Sequence, residues 1–153
     1  MMENKFSFFV RVYGSAATIP KGTISDTGSV PTALQIEQDR SPSPLAIDFD
    51  SLGRELEQWP NLYFEWDGSF VWVSPQRLAD ASPAWQLDGM LYDHAEALQY
   101  VELKGHCPMD AWRKLISAMG LTTNPQPPII HDVANDRWLD VPTFEQIFII
   151  ESK

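Results

Sequence analysis

Apolar and polar residues alternate along 6–13, where every even position is Phe or Val. This period of two is typical of a β-strand with one buried face. Shorter apolar runs predict further strands at 45–49, 129–133 and 146–151, the last two flanking a turn at Asn135-Asp136. A helical turn at 142–146 is an alternative for the start of the last strand.

Residues 85–107 predict one long hairpin whose loop is 94–96. In this register Leu87 lies opposite Leu103, and Asp88 lies opposite Glu102. A slip by one residue would mix apolar and polar side chains on both faces, so this register is favoured. The predicted core face comprises Trp85, Leu87, Leu91, Val101 and Leu103. The predicted second face comprises Gln86, Asp88, Met90, Tyr92, Leu98, Tyr100, Glu102 and Lys104.

A second hairpin is predicted at 61–75, because Asp67-Gly68 separates two arms rich in aromatic and β-branched residues. Asp-Gly is typical of a two-residue type I′ turn. Phe64 would then pair with Val71 on one face, and Tyr63 with Trp72 on the other.

Two segments predict helices. The first covers 51–58, with Asp50 or Ser51 as its cap, although Gly53 weakens the prediction. Its apolar face comprises Leu52, Leu56 and Trp59. The second follows Pro108 and ends before Gly120, with Asp110 in its first turn. Its stripe at helical spacing, predicted to pack on the core face, comprises Met109, Trp112, Ile116 and Met119.

Residues 14–44 are rich in Gly, Ser, Thr and Pro, and predict a long loop with a short strand around Leu34 and Ile36. Strands in sequence order with two helices indicate an α+β fold: a predominantly antiparallel meander sheet with two helices packed on one face. The length of 153 residues favours one globular domain over the whole of 1–153.

The chain is acidic, with 11 basic and 21 acidic residues and a net charge of -10. That charge opposes binding to nucleic acid and to anionic membranes, and the acidic residues are scattered rather than clustered. The one cysteine, Cys107, cannot form an intramolecular disulfide and suits a reducing compartment. Without a recognisable signal peptide or membrane-spanning run, the sequence predicts a cytoplasmic location.

The candidate catalytic residues are few. Cys107 lies where a helix N-terminus would favour its thiolate, and His106 precedes it. A buried, inert cysteine is the other reading. Each histidine has an adjacent Asp or Cys, but neighbours on a strand point to opposite faces, so no metal site is predicted. No cofactor motif occurs.

The second face of the long hairpin is the candidate binding surface. It joins an apolar and aromatic patch, formed by Met90, Tyr92, Leu98 and Tyr100, to the charged Asp88, Glu102 and Lys104. Either another segment of the chain covers this patch, or it binds a protein partner or a small ligand. We therefore expect a non-catalytic binding protein, and a homo-oligomer is compatible with this surface. The alternative is a small hydrolase or transferase using Cys107 or the Asp88 and Glu102 pair.

Overall fold

The computed structural model describes residues 6–16, 42–120 and 128–152. Their helices and strands are β1 (Phe8–Tyr13), β2 (Ser15–Ala16), β3 (Pro42–Ser43), α1 (Phe49–Glu57), β4 (Leu62–Phe64), β5 (Ser69–Val73), β6 (Gln86–His94), β7 (Ala97–His106), α2 (Met109–Ala118), β8 (Ile129–Asp132), β9 (Arg137–Asp140) and α3 (Val141–Glu151). The predicted strand around Leu34 and Ile36 lies outside the described residues.

Seven strands form one antiparallel sheet in the order β4-β5-β6-β7-β1-β8-β9. This confirms the α+β class and the antiparallel sheet. A plain meander was wrong, because β1 is inserted between β7 and β8, which are separated along the chain by α2. The described residues also form three helices rather than two. A separate two-stranded ladder joins β2 to β3.

Alternate residues of the strands and one side of each helix meet in a single apolar core. In β1, Phe8, Val10 and Val12 are buried, as the alternation predicted, and the intervening residues are half-buried. The predicted core face of the long hairpin is confirmed, since Leu87, Leu91, Val101 and Leu103 are at most 1% exposed. Trp85 packs against this core and is partly exposed.

The register predicted for the long hairpin was wrong by two residues. Tyr92 pairs with Tyr100, and Met90 pairs with Glu102. The loop is the two-residue Ala95-Glu96, and both residues have positive φ, as a type I′ turn requires. Because the shift is an even number, most side chains stay on the face that was predicted. Leu98 is the exception, because a bulge beside Tyr92 shifts the alternation. Its side chain points into the core and is 1% exposed.

The register predicted for the hairpin of β4 and β5 was also wrong, in this case by one residue. Phe64 pairs with Phe70, and Tyr63 pairs with Val71. The turn contains one more residue than predicted: Gly68 N donates to Glu65 O at 3.0 Å, and only Gly68 has positive φ. The odd shift therefore changes which residues share a face. It places Phe64 and Phe70 towards the core, and Tyr63 with Val71 on the other side.

Both predicted helices form. Helix α1 begins two residues earlier than expected, because Asp48 rather than Asp50 or Ser51 caps it and accepts a hydrogen bond from Ser51 N at 2.7 Å. Gly53 faces the ring of Phe64, and a Cβ at this position would lie 3.0 Å from the nearest ring atom, which is a tight contact. In α2 the predicted stripe is buried, apart from the partly exposed Met109, and Gly120 follows the helix with positive φ.

The last strand predicted, at 146–151, was wrong, since that stretch belongs to α3. Asp140 caps α3 by accepting a hydrogen bond from Thr143 N at 2.8 Å, and Pro142 occupies its first turn. Strand β8 pairs with β1 on one side and with the short β9, which was not predicted, on the other. The strand predicted at 45–49 was wrong as well: Leu45 N donates to Leu98 O at 2.9 Å, and α1 begins at Phe49.

Candidate functional site

The sheet face opposite the core collects the predicted binding residues together with residues from β1, β8 and β9. Residues that pair across neighbouring strands lie on the same face, so the observed register defines a row of side chains that crosses the sheet. That row runs through Met90, Glu102, Arg11, His131 and Trp138. We call this side of the sheet the second face. Its other members include Phe9, Tyr13, Tyr63, Val71, Asp88, Tyr92, Tyr100 and Lys104.

Aromatic rings form a continuous chain across the second face. Tyr92 stacks on Tyr100 with ring centroids 4.7 Å apart, and Tyr100 lies 5.2 Å from Tyr13. Tyr13 in turn contacts Trp138 at 5.5 Å, and Trp138 stacks on His131 at 4.4 Å. Rings at these separations attract one another beyond their buried area, so the chain is a pre-ordered aromatic surface.

A charged pair lies in the middle of this chain. Arg11 Nε donates to Glu102 Oε2 at 3.0 Å, and the guanidinium lies 5.1 Å from the ring centroid of Tyr100. Burial raises the pKa of Tyr100, and the positive charge of Arg11 opposes that rise only partly. The pKa of Tyr13 is raised for the same reason. Both phenols therefore stay neutral at physiological pH.

The predicted opposition of Asp88 and Glu102 was wrong. Asp88 lies opposite Lys104, and its carboxylate accepts a hydrogen bond from Gln86 at 3.0 Å. Glu102 is paired with Arg11 instead. Two carboxylates that each have a basic neighbour lack the facing geometry that would make them a cation site or an acid–base pair.

Exposure varies across the second face. Tyr63 is 62% exposed and Tyr92 is 41% exposed, both on the β4–β6 side. Ile129 of β8, which pairs with Tyr13 and so points the same way, is only 2% exposed. The most exposed members of the face lie on β4, β6 and β7, where Tyr92 and Lys104 were predicted to bind, whereas Met90 and Tyr100 are half-buried.

The surroundings of Cys107 and His106 disfavour a nucleophile and base. Cys107 is buried, and this burial raises the pKa of its thiol to about 12, with the charge of Asp110 adding to the shift. A thiol with this pKa stays protonated at neutral pH and reacts slowly. His106 Nε2 instead lies 3.4 Å from the carbonyl oxygen of Ala84.

Within the described residues, no group of three or more His, Cys, Asp or Glu side chains is placed to hold a metal ion. In the same part of the chain, no helix has the length and apolar character needed to cross a membrane. Comparison with protein-family models, with curated proteins and with solved structures found no match.

Sequence reasoning identified most of the hairpin residues of the second face but missed Arg11, Tyr13, His131 and Trp138. Their contribution depends on β1 pairing with β7 at a separation of 91 residues between Arg11 and Glu102. The sequence carried only a weak signal for them. Arg11 and Tyr13 occupy the odd positions of an alternating strand, which predicts that they lie away from the core but does not predict which strand lies beside them.

Proposed function

We propose that this protein is a non-catalytic binding protein that contacts a protein partner through the second face, around Tyr92 and Tyr100. The supporting observation is the chain of stacked rings from Tyr92 to His131 with the Arg11 and Glu102 pair in its middle. This pre-ordered surface is accessible on its β4–β7 side.

The residue types favour a protein partner over a small ligand. Tyr, Trp and Arg are the side chains that contribute most binding energy at protein interfaces, and Met is enriched there as well. Tyr92 and Tyr100 are already stacked, so these two side chains would lose little conformational entropy when a partner binds. A sheet face also offers a broad contact area rather than the enclosed cleft that small molecules need.

The same proposal includes a cytoplasmic location, since the one cysteine is buried and unpaired. A hydrolase or transferase is disfavoured. Its nucleophile would be a thiol whose pKa is raised to about 12, and its two carboxylates do not face each other, since Asp88 lies opposite Lys104 and Glu102 is paired with Arg11.

The experiment is site-specific photo-crosslinking in cells that express the protein. A photoreactive phenylalanine replaces Tyr92 in one variant and Ile150 in a second, because Ile150 is 58% exposed on α3, away from the second face. A protein cross-linked from position 92 and not from 150 is then purified. Its affinity is measured by calorimetry for the parent chain, for Tyr92→Ala and for Ile150→Ala.

We expect Tyr92→Ala to weaken binding by about tenfold or more, since ring truncation at an interface centre costs on the order of 2 kcal/mol. Ile150→Ala should bind like the parent. A partner whose affinity falls with Ile150→Ala and not with Tyr92→Ala would contradict the proposal. If the cross-linked protein is a second copy of this chain, sedimentation replaces calorimetry. The parent should then form a larger fraction of dimer than Tyr92→Ala at the same concentration.

A further inference from the structure

Three tryptophans from different elements pack together on the core side of the sheet. Trp59 follows α1, Trp72 lies in β5, and Trp85 precedes β6. The ring centroids of Trp59 and Trp72 are 5.0 Å apart, and Trp72 meets Trp85 edge to face at 5.2 Å. We call these three residues the tryptophan cluster. It is separate from the second face, because Trp72 points to the core.

A lysine side chain closes the cluster. Lys114, on the solvent side of α2, places its Nζ 4.3 Å from the ring centroid of Trp59 and 5.9 Å from that of Trp72. These distances are typical of cation–π contacts. Among the described residues no carboxylate forms an ion pair with Lys114, so the tryptophan rings are its observed contact for the charge.

We propose that the tryptophan cluster is a binding site for an alkylammonium group, and that Lys114 occupies it as an internal ligand. The Lys114 contact is itself evidence that an ammonium on a carbon chain fits over these rings. Aromatic faces attract quaternary ammonium groups in particular, so we expect such a site to prefer a methylated ammonium to a sodium ion.

Two further features favour a cation from outside. Glu55 accepts a hydrogen bond from Trp59 Nε1 at 3.1 Å, which fixes the indole and puts a negative charge beside its edge. The chain as a whole carries a net charge of -10, which raises the local concentration of cations. Lys114 is exposed, so its side chain can move into water and leave the rings to a competing ammonium.

The test removes the internal ligand. Tryptophan fluorescence is followed as tetramethylammonium chloride is added to the parent chain and to Lys114→Ala, with sodium chloride at equal ionic strength as the reference. Removing a competing exposed cation–π contact should tighten binding by about twofold to fivefold. Arg113→Ala is the matched control, because it removes the same charge from the neighbouring position of α2, where the side chain pairs with Glu145 and not with a tryptophan, and it should respond like the parent.

A further variant tests the role of Glu55. Glu55→Gln in the Lys114→Ala background keeps an acceptor for Trp59 Nε1 but removes the charge, and it should weaken binding of tetramethylammonium. Equal responses to tetramethylammonium and sodium in Lys114→Ala would overturn the proposal. A fall in Tm for Lys114→Ala without any ammonium response would also overturn it, since Lys114 would then only stabilise the fold.

The source of the group is distinguished with a peptide. A short basic peptide containing one trimethyllysine is compared with tetramethylammonium on Lys114→Ala. Binding of the peptide at least tenfold tighter than the free cation would identify a protein side chain as the ligand. Equal affinities would identify a small free alkylammonium.

Discussion

Gly68 is the residue at which the β4–β5 turn is most constrained. Its φ is +96°, and a Cβ at this position would lie 2.7 Å from the carbonyl oxygen of Leu91. We expect Gly68→Val to lower the free energy of unfolding by about 1 to 3 kcal/mol, from backbone strain and this clash. Urea denaturation measures it. Trp66→Val, in the same turn at a residue that is 89% exposed, should change it by less than about 0.5 kcal/mol.

Cys107 should give the protein a specific loss of stability at high pH. Burial raises the pKa of its thiol from an ordinary 9.0 to about 12, so the unfolded chain loses this proton before the folded chain does. The resulting stability is complete below pH 9 and is lost as the pH rises towards 12. The free energy of unfolding of the parent should therefore fall relative to that of Cys107→Ala across this window. A difference that stays constant from pH 7 to 11 would contradict the assignment.

The Arg11 and Glu102 pair should contribute little to stability, despite its central position. Its side chains are 35% and 23% exposed, so solvent screens the attraction. We expect Glu102→Gln to cost less than about 1 kcal/mol in thermal or urea unfolding. Asp88→Asn is the matched control, expected within about 0.5 kcal/mol of the parent. A much larger loss for Glu102→Gln would mean that Arg11 is left buried without a partner.

At the scale of elements, Trp112 is the largest fully buried side chain that α2 places in the core. This residue is 0% exposed and contacts Phe8 and Phe144 at 5.7 and 4.8 Å between ring centroids. Trp112→Ala should cost about 3 to 5 kcal/mol through the cavity that it leaves. Urea denaturation will show this, with the exposed Ser117→Ala of the same helix close to the parent.

A second variant at this position separates packing from hydrogen bonding. Trp112 Nε1 is buried and has no hydrogen-bond partner among the described residues. Trp112→Phe removes this unpaired donor along with part of the ring, so it should cost clearly less than Trp112→Ala. A loss for Trp112→Phe as large as that for Trp112→Ala would contradict this expectation.

The sequence predicted faces better than registers, for a physical reason. Side chains alternate with a period of two, so the two-residue error in the β6–β7 hairpin left Tyr92 and Tyr100 on the predicted face. The bulge that buries Leu98 changes the alternation and leaves no local signature in the sequence. In the β4–β5 hairpin, one extra turn residue was enough to shift the pairing, so that Phe64 pairs with Phe70 and Tyr63 pairs with Val71.

Helix α3 shows where local propensity is misleading. Its second half is rich in Ile and Phe, which favour strands, and two of these residues, Ile149 and Ile150, are exposed. Three features that residue composition does not capture stabilise the helix: the Asp140 cap, Pro142 in the first turn, and burial of Phe144 and Phe148 against the core.

For the whole molecule, the strand order predicts a gradient of local stability. Strands β7 and β1 lie inside the sheet with neighbours on both sides, whereas β4 and β9 are its edges. Amide hydrogens in peptides from 97–106 should therefore exchange more slowly than those from 62–64 or 137–140. Hydrogen–deuterium exchange with mass spectrometry measures this order. Faster exchange in 97–106 than at both edges would contradict the observed strand order.

The insertion of β1 between β7 and β8 also affects how the chain is made. Arg11 and Glu102 are 91 residues apart, so on a ribosome β1 waits on the order of 5 to 20 s before β7 has been synthesised. During that delay the apolar side chains of Phe8, Val10 and Val12 have no strand to cover them. Closing such a long loop also slows folding in the finished chain. We therefore expect the nascent chain to be most prone to aggregation in the interval before β7 emerges.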